Sequence, residues 1–449
     1  MILQVGTSTP TSSTFPFPIN IFLLRDFKDL VNGFVSGTEV GKKFKPRLYS
    51  YADFVLVKLY AMVKGWSTHC AAEYLNEYLS RRIEQKECKD LKIFADGKRQ
   101  RRLIPHQTDV DNFFSLLSER DVQFIFGNVL MSLDRKIKNS MIGGAKMHLI
   151  IDNTKYANYC SFKSLYDIGS NGLKGTKHCR MFQAYMLHGC DLSLFTEFQL
   201  LKKGEYRGKH IGPAVDWMQW NGFKISEALI DREFYRVMIL RTLRHRGVCA
   251  VLPAKKFKQV QQELSNYLLN KRPITKPYLF SQAMNQYPMQ SSIQVQLSLV
   301  GHDILTASDV KNEFWSGKIT FDEAMKKLAG FLTTLIPWKN AKAFCSWLKR
   351  LYKKRWNIET KFRVVNAVHE SYRNHRAITQ LAQLYMRGYI VNYWQACKKH
   401  AKRLNVRSAH RSLREFLRHF SYVIAKDFLQ DRLNCVMIRL KNKKEVYFN

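Results

Sequence analysis

The chain has 449 residues, 46% of them hydrophobic, and 73 Lys and Arg against 36 Asp and Glu give it a net charge of +37. A chain of this length and apolar content has a large core and room for two or three domains, which excludes a disordered protein. The charge excess calls for a polyanionic partner. With no apolar run of about 18 residues and no Lys-rich amphipathic anchor, nucleic acid fits better than a membrane.

The nine cysteines are odd in number and no two have Cys-x2-Cys spacing. Reduced thiols and a cytoplasmic compartment are therefore expected. His178-Cys179 and His188-x-Cys190 lack the second ligand pair of a zinc finger. No charged segment followed by an apolar one opens the chain, so no secretion signal is expected.

In chain order, residues 1–20 read as a flexible lead-in, rich in Ser, Thr and Pro. Residues 21–142 read as all-helical. Tyr51–Gly65 has helical apolar spacing and ends on glycine, Ser67–Leu79 follows as a second helix, and Gly65-Trp66-Ser67 joins them as in helix-turn-helix units. A basic loop, Lys92–Arg102, precedes two more helices within Asp109–Lys138. This is the expected DNA-binding domain.

The pattern changes at residues 143–260. Strands are predicted at His148–Asp152, Met181–His188, Leu194–Leu200, Lys224–Asp231 and Val248–Leu252, and helices at Gly208–Trp220 and Arg232–Arg246. Three closely connected strands, then helix, strand, helix and strand, is the order of a ribonuclease-H-like mixed sheet flanked by helices. The fold class is therefore α/β. Residues 261–338 read as an inserted β-rich subdomain, with a β stretch at Ser292–Val300, a polar helix at Phe321–Leu328 and an apolar run at Gly330–Ile336. Residues 339–400 return to the core with a helix bearing Glu359 and a long apolar helix, Ala377–Cys397. Residues 401–449 form a basic C-terminal region, with a helix around Phe416–Leu429 and a β-like tail.

Asp152 ends the first predicted strand and Asp231 the fourth, which are neighbours in such a sheet. Two carboxylates there can share a pair of divalent cations about 3.5–4 Å apart, with Glu359 as the third ligand. Hard oxygen ligands favour Mg²⁺ or Mn²⁺, and two ions are expected. Tyr352, Arg355 and Glu359 fall at i, i+3 and i+7, within an arc of about 60° on one helix, with Leu351, Trp356 and Ile358 as flanking core contacts. Taken alone, the stretch also reads as a solvated face whose Arg355–Glu359 pair contributes about 0.3–0.5 kcal/mol, and a lone Asp as a strand-end cap. Asn153 reads either as a partner orienting Asp152 or as a turn residue. Lys174, Lys177, Lys202, Lys203, Arg207 and Lys209 lie between the aspartates, and Lys255, Lys256 and Lys258 follow the fifth strand. All are candidates to track phosphates.

Three stretches resemble, in order, the motifs of DDE transposases of the insertion-sequence-four type, the family marked by Tyr-x2-Arg-x3-Glu-x6-Lys. They are Ile150-Ile-Asp-Asn-Thr154, Ala228-Leu-Ile-Asp-Arg-Glu-Phe-Tyr235 and Tyr352-x2-Arg355-x3-Glu359. The resemblance covers residues 145–400; before that only helical character matches. It implies a transposase that binds the inverted repeats of an insertion sequence, cleaves the element ends and joins the 3′-OH to target DNA. It also implies a homodimer on double-stranded DNA, no membrane association, and a nucleoid-associated place in a prokaryotic cytoplasm.

By the same resemblance Asp152, Asp231 and Glu359 are the catalytic, metal-binding triad. Tyr352 and Arg355 engage the phosphates of the element end; Arg232, Arg363, Asn366, Lys174 and Lys177 are expected as further DNA contacts from their own chemistry and position, not from the resemblance. The family's lysine falls at Asn366, which can hydrogen-bond a phosphate but adds no charge. Arg363, at i+11 from Tyr352, is expected to supply the cation. Trp315 is expected either to pack in a core or to stack on a flipped base. Two other readings are a catalytically inactive or domesticated derivative that only binds DNA, and a ribonuclease-H-class nuclease. The basic helical domain and the Tyr352 and Arg355 positions argue against the second.

Overall fold

Local signals set the N-terminal helices. In the computed structural model, which describes residues 24–44, 49–85, 103–158, 164–168, 178–284, 287–368, 376–403 and 412–447, they are α1 (Leu24–Ser36), α2 (Glu39–Lys43), α3 (Tyr51–Lys64), α4 (Thr68–Gln85), α5 (Gln107–Leu116), α6 (Glu119–Val122) and α7 (Asn128–Ile137). Ser50 caps α3: its hydroxyl accepts from the Asp53 N–H at 3.2 Å, and the Asp53 carboxylate takes the Ser50 N–H at 2.8 Å. Such a box contributes about 1 kcal/mol. Gly65, at φ 67°, ends the helix in the left-handed conformation that glycine adopts without strain. Helix α3 is buried along its whole length and packs against α1, α4 and α5. Lys58, buried on α3, donates to Thr68 Oγ1 at 2.9 Å and lies 3.7 Å from Asp111, which ties the three helices together. The lead-in and the loop Lys92–Arg102 lie outside the described residues.

The strands are β1 (Lys146–Asn158), β2 (His178–Gly189), β3 (Leu192–Leu201), β4 (Lys224–Ile230), β5 (Cys249–Pro253), β6 (Thr275–Met284), β7 (Tyr287–Gly301) and β8 (Leu328–Thr333). They form one sheet in the order β3-β2-β1-β4-β5-β8-β7-β6. β1 pairs with β4, and β4 with β5, in parallel; the remaining pairs are antiparallel. The first five strands have the ribonuclease-H-like order expected from the sequence. Strands from residues 261–338 continue the same sheet beyond β5, so the β-rich segment shares its core.

Helices α8 (Ile211–Trp220), α9 (Val237–His245), α10 (Lys258–Leu268), α11 (Ala307–Trp315), α12 (Phe321–Lys327), α13 (Ala341–Lys353), α14 (Trp356–Ala367), α15 (Ala377–Arg403) and α16 (Leu413–Tyr447) complete the described fold. The predicted helix Arg232–Arg246 is split: a 3-10 turn, Arg232–Phe234, precedes α9, and extended backbone at Arg236 separates them. The β-like tail is also corrected. The chain is helical to Tyr447, because buried Phe416, Phe420, Ile424 and Phe428 anchor the first turns of α16 and a helix propagates easily once nucleated. Helix α16 packs on α3 and α4, and Lys28 of α1 donates to Asp427 at 2.8 Å.

Helix α15 lies against β3, an edge strand whose outer backbone groups would lack partners. Amide side chains fill that role. Asn392 accepts from the Phe195 N–H at 3.0 Å and donates to its carbonyl at 2.7 Å; Gln395 donates to the Ser193 carbonyl at 2.6 Å. Gly388 permits the approach, since a Cβ there would stand 2.9 Å from a Phe198 ring carbon. No helix among the described residues is long and apolar enough to cross a membrane.

Candidate active site

The β1–β4 register builds the site. Ile151 is paired with Ile230, so Asp152 and Asp231 are the next residue on each of two adjacent parallel strands. Asp152 continues within β1, paired to Ala184, whereas β4 stops at Ile230. Asp231 then caps the 3-10 turn, its carboxylate accepting the Arg232 N–H at 2.6 Å. Asp152 Oδ1 accepts the Asn153 N–H at 2.9 Å. The Asn153 amide instead donates to Glu233 at 3.1 Å, so its backbone, not its side chain, steadies Asp152.

The expectation of one helix carrying Tyr352, Arg355 and Glu359 is corrected. Helix α13 ends at Lys353 and α14 begins at Trp356. The joint is tightened by i→i−3 bonds, from Lys354 N–H to Leu351 O at 3.0 Å and from Arg355 N–H to Tyr352 O at 2.9 Å. Three residues per turn rotates the chain further than an α-helix would. One consequence is that Trp356, expected in the core, is 60% exposed, while Leu351 and Ile358 are buried as expected.

The joint still closes on the sheet. Arg355 lies between two carboxylates, donating to Asp152 Oδ2 at 3.2 Å and to Glu359 Oε1 at 2.7 Å. Its guanidinium is 5.8 Å from the Tyr352 ring centroid. The Tyr352 hydroxyl donates to the Ile230 carbonyl at 3.4 Å, at the strand end that presents Asp231. Glu359 is thus brought to the aspartates through Arg355.

Burial pushes the Asp152 carboxyl up to about 6. The charge of Arg355 and the Asn153 N–H oppose this shift, and the like charges of Asp231 and Glu359 add to it. Burial also raises the Tyr352 phenol. Burial disfavours the Arg355 charge, yet Tyr352, Asp152, Asp231 and Glu359 outweigh it and hold the guanidinium above its usual range. The cluster carries more negative charge than one cation neutralises. Three oxygen donors of this kind suit a hard divalent ion, and Asp152, Asp231 and Glu359 are the residues that could hold one. With Arg355 between them, their oxygens do not all come within 4.8 Å of one another.

The other expected contacts divide. Arg232 and Arg363 are exposed. Asn366 accepts from the Tyr156 hydroxyl at 2.6 Å, and the Arg387 guanidinium lies 5.9 Å from that ring's centroid. The break at Lys354 invalidates counting from Tyr352 to Arg363, but Arg363 lies one turn beyond Glu359 on α14. Lys202, Lys203, Lys256 and Lys258 are exposed, Arg207 is paired with Glu233, and Lys209 with Glu205 at 2.7 Å. Lys174 and Lys177 lie outside the described residues. Trp315 is not a core residue: it is 59% exposed, and its indole N–H donates to the Leu268 carbonyl at 2.9 Å.

Sequence reasoning missed a second row of polar residues. His148 is in register with Glu227, and its Nδ1–H donates to Glu227 at 2.7 Å. Its Nε2 accepts from Lys354 at 2.9 Å, which fastens the α13–α14 joint to the sheet. The signal was available, because His148 and Glu227 are 79 residues apart, as are Asp152 and Asp231.

The Transposase DDE domain family matches residues 143–389, more than half of the chain, and the protein belongs to that family of transposases. Among solved structures, the chain is similar to a piggyBac transposase in a synaptic complex with hairpin DNA, at 10% identity over 94% of this chain and 84% of that one, with a TM-score of 0.48. No curated protein matches the sequence.

Proposed function

We propose that the protein is a transposase of the insertion-sequence-four type. It binds the terminal inverted repeats of its element, cleaves the element ends and joins the freed 3′-OH to target DNA. The observation that supports this best is the sheet register that sets Asp152 beside Asp231, with the Arg355–Glu359 joint folded onto Asp152. Asp152, Asp231 and Glu359 would hold two Mg²⁺ or Mn²⁺ ions. Such ions, when bound, activate the attacking oxygen and stabilise the leaving one.

The protein's own groups do the positioning. Arg355, relieved of neutralising Asp152 and Glu359, turns its guanidinium to the scissile phosphate, where a planar fork matches two oxygens. Tyr352, held at the Ile230 carbonyl, forms the wall against which the phosphate rests. Arg363 supplies the charge that Asn366 lacks. The helical domain and the exposed lysines bind backbone phosphate, consistent with the net charge of +37. Two ends must be joined, so a homodimer forms on DNA.

The test begins with the DNA flanking the gene. Short inverted repeats bracketing it, with a direct duplication outside, are expected, and the purified protein should protect one such repeat from nuclease digestion. Absence of both results would contradict the reading. A second reading, a derivative that binds DNA without cutting it, is favoured only by Asn366, whose side chain is occupied by Tyr156. Protection of the repeat with no Mg²⁺-dependent nicking would select it.

A further inference from the structure

A second group of metal-capable side chains lies far from the triad in sequence and differs from it in chemistry. His69 and Glu73 are one turn apart on α4 and share a face. His106 stands before α5 as its N-cap residue, on extended backbone. The ligand atoms of all three lie within 4.8 Å of one another. We propose that His69, Glu73 and His106 form a transition-metal site, best suited to Zn²⁺, that fastens α4 to the start of α5.

Two imidazoles and a carboxylate are a borderline donor set, which favours Zn²⁺ over Mg²⁺, whereas the all-oxygen triad favours the reverse. Ligand atoms around tetrahedral zinc are about 3.3–3.6 Å apart, given bonds of about 2.0–2.2 Å. With the ligand atoms within 4.8 Å of one another, closing onto one ion needs them to approach by at most about 1.5 Å. The tautomer can also be set. As the N-cap, His106 Nδ1 accepts the Thr108 N–H at 3.3 Å and lies 3.1 Å from Thr108 Oγ1, so binding a metal at Nε2 would move the ring proton to Nδ1, which would then donate to Thr108 Oγ1 in place of accepting that N–H. Metal-bound histidines are commonly oriented in this way by a second hydrogen bond. The fourth position would be taken by water. The metal would add a cross-link between two helices whose connecting segment carries Lys98, Arg99, Arg101 and Arg102.

The experiment uses the full-length protein, stripped with chelator and held in excess Mg²⁺ so that the triad does not compete. Zn²⁺ is titrated calorimetrically and the melting temperature is followed in parallel. One tight equivalent is expected in the wild type and in an Asp152→Asn/Asp231→Asn double variant, with a rise of several degrees in Tm. In His69→Gln and in His106→Asn that equivalent and the Tm rise should both be lost. Asn preserves the cap on α5, so loss there is not explained by an unfolded domain. If either variant takes up Zn²⁺ with wild-type stoichiometry and Tm response, or if the double variant loses the equivalent, the site does not exist.

Discussion

The two halves of the candidate active site are built by different physics. Asp152 and Asp231 are placed by backbone pairing: once Ile151 is opposite Ile230, both carboxylates emerge side by side whatever surrounds them. Arg355 and Glu359 are placed by a helix joint whose geometry depends on side-chain contacts to the sheet, through Arg355 to Asp152, Tyr352 to Ile230 and Lys354 to His148. The strand half is therefore rigid and the helix half adjustable, as a site needs if one group must let go of a carboxylate and take a phosphate.

The largest effect should come from the strand half. Asp152→Asn or Asp231→Asn should lower nicking of an element end by about 10³-fold or more, with binding of the end retained. Arg355→Ala should cost about 10–100-fold in cleavage, read by single-turnover nicking. It should also push the Asp152 carboxyl further above 6, since the charge opposing the rise is gone. A greater loss from Arg355→Ala than from Asp152→Asn would reverse the comparison.

Stability separates the two halves again. Asn392→Leu strips the Phe195 N–H and carbonyl of their partners at the β3 edge, and should destabilise the fold by about 2–4 kcal/mol in urea unfolding without changing the pH dependence that arises at Asp152. That dependence has a definite sign. Asp152 retains its proton in the folded state to about pH 6, against about 4 unfolded, so its contribution to stability is full below about pH 4 and is lost as pH rises to 6. The Asp152 share of the fall should be about 3 kcal/mol, should be lost in Asp152→Asn while the falls of the same sign from buried Asp134 and Glu197 remain, and should shrink with Mg²⁺ present. The smallest effect is expected at the end of α14. Arg363→Ala should weaken end binding several-fold while Asn366→Ala changes it little; the opposite order would show that Asn366, not Arg363, stands in for the missing lysine.

The same contrast explains what the sequence could reveal. The strands and the positions of the two aspartates were legible because short continuous apolar runs mark strands buried on both faces, and their order with the helices matches a ribonuclease-H-like sheet. The Tyr352–Glu359 stretch was legible in composition but not in shape. Nothing in Lys353-Lys354-Arg355 breaks a helix by propensity, and the tightened joint follows from contacts to His148 and Asp152, about 200 positions earlier. Trp356, and the core alternative for Trp315, were misplaced for a related reason, since a tryptophan's apolar surface suggests a core wherever it stands. The helical tail was hidden by an apolar run at Cys435–Ile438 that reads as a strand when α16's anchor on α3 and α4 is not known.

In the proposed reaction three carboxylates act together on a phosphodiester. The most direct measurement is strand-specific nicking of a duplex carrying one element end, with Mg²⁺, by the wild type and by Asp152→Asn. Cleavage at the element boundary to leave a 3′-OH, absent without metal and absent in the variant although it still binds the duplex, is the predicted result. Equal cleavage by the two proteins, or binding without cleavage by the wild type, would contradict it.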